Sequence, residues 1–180
     1  MNRIEASDIL ESLVESESLR RHCRSIALVM EAYAHELGED PDTWYITGLL
    51  HDADYEKYPE QHPEVIVGKL RDSGHEAIAH AISAHHTRWG KPYTSNLDKY
   101  LLAVDELTGF IVAVSYMRPG RMEGMSVSSV TKKLKTKGFA EGVDREEIDR
   151  ALEIASLEKE GHINFIIRVL TQNQVELGLV

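Results

Sequence analysis

Between Thr43 and Leu50 the chain reads Thr-Trp-Tyr-Ile-Thr-Gly-Leu-Leu, apolar on nearly every side of a helix, and it stops abruptly on the polar pair His51-Asp52. A helix with no polar face has to be covered all round, so this segment is expected to be the most buried element of the fold. Asp40 as N-cap and Pro41 at the first helical position set its start. The helix therefore carries His51-Asp52 into the interior. Consecutive helical residues point about 100° apart, so an imidazole and a carboxylate side by side reach one centre only from a helix end or a tight turn. A divalent metal is such a centre.

The flanking patterns are helical as well. Ile9, Leu10, Leu13 and Val14 give an acidic amphipathic opening from Ile4 to about Val14. Leu19, Ile26, Met30, Tyr33 and Leu37 follow at helical steps, with Ser16 or Ser18 as cap and Gly38 as stop, and His22 falls on the same stripe. After a polar, Pro-interrupted loop from Asp54 to Gln61, His62-Pro63 opens a short helix running to Gly74. The next helix, from about His75 to Thr87, carries His85 and His86 four residues beyond Ala81 and Ile82. Gly90 and Pro92 break it. A long helix from Leu97 to Met117 follows, and Asp105 lies within its apolar stripe, where a buried charge needs a partner. Ser126 or Ser128, and then a capping box over Asp144–Glu147, start two further helices. An apolar helix spans Ile163 to Leu170, and the tail beyond Thr171 is expected to fray. With no strand, repeat or linker signal, the fold class is all-α, a single domain over 1–180 with its core at about 16–117 and C-terminal helices over 126–172 packing on it.

Composition narrows the classes of function. A net charge of -10 disfavours DNA and anionic membranes as partners, and no apolar run approaches the roughly 18 residues of a membrane span. The start, MNRIEASDILESL, lacks the basic-then-apolar pattern of a signal peptide. Together with the single Cys23, which has no internal disulfide partner, this gives a cytoplasmic expectation. The charge is uneven. Arg118, Arg121, Lys132, Lys133, Lys135 and Lys137 face only Glu123 in their stretch, which reads either as a solvated helix face or as a phosphate site.

His22, His51-Asp52, His62, His85 or His86, and Asp105 are the polar residues placed on apolar faces or helix ends. Imidazole and carboxylate suit a first-row transition metal, and a helical bundle gathers such ligands from separate segments. In this order, His, then His-Asp, then Asp, the chain resembles the HD superfamily of metal-dependent phosphohydrolases over roughly residues 16 to 110. The resemblance implies an HD-domain helical bundle with a central metal site. Carried over, His22, His51, Asp52 and Asp105 would hold a first metal. The intervening histidines resemble the subset holding two or more metals, so that Asp52, His62 and His85, with His86 as a further ligand or a substrate-contacting catalytic group, would hold a second, and Asp52 would bridge.

The continuation departs from the family in two places. Many members follow His-Asp with a small residue, Gly and Lys, whereas here Ala53-Asp54-Tyr55 follow and the nearest lysine is Lys57. Members that cleave cyclic di-GMP carry Gly-Tyr-Pro after the His pair, and this chain reads Thr-Arg-Trp-Gly-Lys-Pro-Tyr. The implied activity is hydrolysis of a phosphoester or phosphoanhydride in a nucleotide or small phosphorylated metabolite. A divalent metal brings the pKa of its water from about 15.7 toward 7, and Arg88, Lys91, Arg118 and Arg121 are the candidates for holding a small anionic substrate. Fe or Mn lead as the metal, with Ni, Co, Zn and Mg compatible. Two alternatives keep the same residues: a diiron oxygenase, as in some relatives with an HD-type fold, and a regulatory module without catalysis.

Overall fold

The computed structural model describes residues 1–180 and contains nine α-helices, one 3-10 turn and no strand. The all-α expectation holds. The chain divides into two compact units, Met1–Leu102 and Ala103–Val180.

The first unit contains α1 (Arg3–Leu13), α2 (Glu17–Leu37), α3 (Pro41–Leu50), α4 (Glu64–Asp72), α5 (Glu76–His85), the 3-10 turn Thr87–Trp89 and the opening of α6 (Asn96–Tyr116). Ser16 accepts from the Leu19 amide to start α2, and Gly38, at φ +70°, ends it in the left-handed conformation glycine tolerates. Asp40 starts α3 by accepting from the Thr43 amide, with Pro41 behind it, as the sequence predicts. The apolar α3 is wrapped by α1, α2 and α5, and Trp44, Ile46, Leu49 and Leu50 are buried. Its contact with α2 is the most extensive in the unit. A Cβ added to Gly48 would lie 2.8 Å from the Ala27 backbone, so a side chain at that position would push the two helices apart.

The second unit contains the remainder of α6, α7 (Val127–Leu134), α8 (Arg145–Ala155) and α9 (Lys159–Gln172). Ser126 caps α7 and Asp144 caps α8, the latter accepting from the Glu146 and Glu147 amides. Arg145 lies over the Phe110 ring and donates to the carbonyls of Phe139, Ala140 and Val143, holding the loop before α8. Lys132, Lys135 and Lys137 are exposed, while Lys133 lies over the Phe139 ring. The tail differs from the expected fraying. Leu177 and Leu179 are buried, and their amides donate to the Asn173 and Gln174 carbonyls, while Val175 and Val180 stay exposed, so two leucines anchor the tail.

His162, on α9, is a buried packing residue whose Nε2 bonds the Ala103 carbonyl at 3.0 Å. Burial pushes its imidazole down to about 4, and the bond to Ala103 only partly opposes this. The folded state therefore holds the ring neutral while the unfolded chain protonates it near pH 6.5. Stability is lost as pH falls from about 6.5 to about 4, by roughly 3 kcal/mol in total at 1.36 kcal/mol per pH unit, with no further loss below. Urea denaturation of the wild type and of His162→Gln, which keeps a donor but does not titrate, checks this. The variant should show a flatter decline across that window, and parallel curves would exclude the effect.

Candidate metal centre

The residue that ends α3 begins the site. His51 is its C-cap, fully buried, and its Nδ1 hydrogen-bonds the Gly48 carbonyl at 2.7 Å. That bond occupies Nδ1 and turns Nε2 toward the centre. On α2, His22 brings its own Nε2 to 3.1 Å from His51 Nε2. Two neutral imidazoles can share one proton at that distance, but the convergence of two ring nitrogens is also what a common cation requires.

Asp52 follows in the turn and lies between two pairs of histidines. Its Oδ2 is 3.4 Å from His51 Nε2 and 3.7 Å from His22 Nε2. Its Oδ1 is 3.3 Å from His62 Nε2 and 3.7 Å from His85 Nε2. The ligand atoms of His51, Asp52 and His85 all lie within 4.8 Å of one another. Burial by itself would raise the Asp52 carboxyl, but charge and hydrogen bonding from His51, and then from His85, outweigh it and hold the group well below the usual carboxylate range. Asp52 is therefore ionised at neutral pH. With 25 % of the His22 side chain and 19 % of the Asp52 side chain exposed, against 0–7 % for His51, His62 and His85, the centre opens to solvent on the side of His22 and the carboxylate.

The outer nitrogens of the second pair are tied as firmly as that of His51. His85 Nδ1 bonds the Ile82 carbonyl one turn back on α5, at 2.6 Å. His62 Nδ1 bonds Asp54 Oδ1 at 2.7 Å. Three histidines thus have Nδ1 held by an acceptor and Nε2 directed at Asp52, the tautomer and orientation that metal-ligating histidines adopt. The donor set fits one or two divalent cations, since a carboxylate with an oxygen toward each pair of imidazoles is a bridging arrangement.

The sequence leaves His85 and His86 unresolved as ligands, and the geometry separates them. His85 ends α5 and faces Asp52, whereas His86 begins the irregular segment and stacks edge-on with His62 and Trp89, at centroid distances of 5.5 and 6.0 Å. Burial first, and then charge on His62, His85 and Arg88, hold the His86 imidazole below its ordinary value. Arg88 is exposed on the 3-10 turn, and Lys91 is exposed beyond it. Tyr55, half exposed, makes an edge-on contact with the His62 ring at 5.3 Å. Arg118 and Arg121 belong to the second unit, where Arg118 donates to the Arg121 carbonyl and Arg121 covers the Tyr116 ring. Asp105 lies on α6, also in the second unit.

Two carboxylates beside the pair act where sequence leaves their roles open. The fully buried Asp54 accepts from His62 and, through Oδ2, from the Ile66 amide at 2.9 Å. Glu56 accepts from the Glu15 and Ser16 amides, at 3.2 and 3.0 Å, at the head of the helix that bears His22. Their only sequence signal is an alternation of acids after His51, at positions 52, 54 and 56.

The family model for the HD domain matches residues 19–110, a span that includes every one of these histidines and both Asp52 and Asp105. The chain belongs to the HD-domain family. No curated protein and no solved structure matches it. The HD domain is a fold of metal-dependent phosphohydrolases and binds divalent metals, and the His/Asp cluster is compatible with that use. No helix of the structure is long and apolar enough to cross a membrane.

Proposed function

We propose that the protein hydrolyses a phosphoester or phosphoanhydride of a nucleotide or small phosphorylated metabolite at a binuclear metal centre. The observation that carries this reading is the position of Asp52, with one oxygen toward His22 and His51 and the other toward His62 and His85. His22, His51, Asp52 and Asp105 would hold one metal, and Asp52, His62 and His85 the other. Asp105 is assigned from its place in the family order, which the matched span supports by running five residues past it.

Divalent metals at such a centre supply Lewis acidity and a water of lowered pKa. The protein's own part is positional. Asp52 sets the spacing of the two positions and stays ionised. His51, His62 and His85 present Nε2 because their Nδ1 atoms are occupied. His86 stands beside the ligands, edge-on to the His62 ring, and is assigned to the substrate. Arg88 and Lys91 on the following turn are the cations proposed to hold phosphoryl oxygens, where negative charge concentrates during displacement.

Elemental analysis of the purified chain, paired with phosphoester and nucleotide turnover in manganese, tests the reading. The wild type should hold about two transition metals, and His62→Ala about one, since it removes a ligand from one side of Asp52 only. Turnover with manganese under anaerobic conditions would exclude the oxygenase alternative. A wild type that holds no metal and turns over no phosphoester with metal supplied would overturn the proposal.

A further inference from the structure

We infer that Asp54 is a positioning residue that governs occupancy of the second metal position, by fixing His62 in the tautomer that can bind. This rests on the binuclear reading and adds to it a residue that touches neither metal nor substrate. The two oxygens of Asp54 have separate tasks: Oδ1 accepts from His62 Nδ1 at 2.7 Å, and Oδ2 accepts from the Ile66 amide at 2.9 Å. Ile66 is in the first turn of α4, a helix whose own N-cap residue, Pro63, supplies no side-chain hydrogen bond. One fully buried carboxylate thus caps α4 from twelve residues away and orients the ligand that precedes it.

One carboxylate can perform both tasks at once. A carboxylate accepts on both oxygens, so it can take the Ile66 N–H and the His62 Nδ1–H together. His62 then has its lone pair on Nε2, which faces Asp52 Oδ1 at 3.3 Å. His51 and His85 achieve the same with backbone carbonyls three residues back. His62 precedes its helix, has no such helical carbonyl behind it, and depends on a side chain instead. It is therefore the one of these three ligands whose tautomer a single substitution can change.

Asn at position 54 preserves the shape and separates the tasks. An amide that keeps its oxygen on the Ile66 N–H turns its NH2 toward His62 Nδ1, which must then act as acceptor. The imidazole proton moves to Nε2, the atom that has to bind the metal. Ala at position 54 loses the cap but leaves His62 free to take either tautomer. Tautomer control and plain structural support therefore rank the two variants in opposite orders.

The experiment is a manganese or cobalt titration of the full chain and its Asp54→Asn and Asp54→Ala variants, with thermal melting of the metal-free proteins. Asp54→Asn should lose about 10–100-fold in affinity for the second metal, the scale expected when a ligand's outer partner is removed, and retain the first. It should bind that second metal no better than Asp54→Ala while melting at a higher temperature. If Asp54→Asn binds two metals as tightly as the wild type, or if metal affinity merely follows melting temperature across the three proteins, the inference is overturned. The wild type provides a check independent of any variant's folding. Loaded with diamagnetic zinc, its nitrogen-resolved NMR spectrum should show His62 protonated on Nδ1, and a metal on Nδ1 would refute the assignment. Failure of the binuclear reading looks different, because the wild type itself would then bind fewer than about two metals.

Discussion

Asp52→Asn should remove both metals and reduce phosphoester turnover to background while leaving the helices in place. The isosteric amide has one acceptor oxygen and one NH2 donor in place of two acceptors. Oriented either way, it presents N–H groups to one pair of ring nitrogens, either His22 and His51 or His62 and His85. It also removes the negative charge that offsets two dications at the centre of the site. The loss should exceed the roughly 10–100-fold attached to an outer partner such as Asp54, since a direct ligand to both positions is affected. The fold has little need of this carboxylate, because ring nitrogens surround it where helix-capping acids have backbone N–H groups. Circular dichroism should therefore match the wild type while metal content falls to background. A variant that keeps both metals and turns over within about tenfold of the wild type would remove Asp52 from the centre.

The contrast between Asp52 and Asp54 shows what was legible in the sequence. Asp52 is readable because it follows His51 at the end of a helix that is apolar all round, and because three further histidines fall on apolar faces or helix ends. Asp54 lies two residues on, in a polar loop, where a buried carboxylate looks like any solvated one. Its partners, His62 and the Ile66 amide, are brought to it by the return of the chain into α4. Glu56 is hidden for the same reason, since the turn it caps lies about forty residues earlier. Local signals such as Asp40-Pro41, Ser16 and Gly38 predict helix ends well because both partners of each bond are close in sequence. The division within α6 leaves no composition signal, because an unbroken helix needs no linker. The sequence predicts a frayed tail where the structure buries Leu177 and Leu179, because these two follow no helical period that could announce a core contact.

Gly48→Ala should destabilise the protein and weaken the metal centre together, although helix propensity alone predicts the opposite. Within α3, replacing Gly by Ala ordinarily contributes up to about 1 kcal/mol of stability. Here the new methyl would lie 2.8 Å from Ala27 N and Cα and 2.9 Å from the Ile26 carbonyl carbon, against about 3.5–4.0 Å for unstrained carbon contacts. All three atoms are backbone of α2, so no rotamer change relieves the clash, and α2 and α3 must separate. Overpacking of this kind costs about 1–3 kcal/mol, enough to reverse the propensity gain and to lower the melting temperature by about 2–4 °C for each net kcal/mol lost. The same separation moves His22, carried by α2, away from His51 at the end of α3, where their Nε2 atoms now stand 3.1 Å apart. It also shifts the Gly48 carbonyl that holds His51 Nδ1. Gly68 provides the control. It lies within α4 with nothing near the position of an added Cβ, so Gly68→Ala should stabilise by up to about 1 kcal/mol and leave metal affinity unchanged. Melting curves and manganese titrations of the two variants would decide the matter. Equal, stabilising effects would mean that the close approach of α2 and α3 at Gly48 does not set the geometry of the centre.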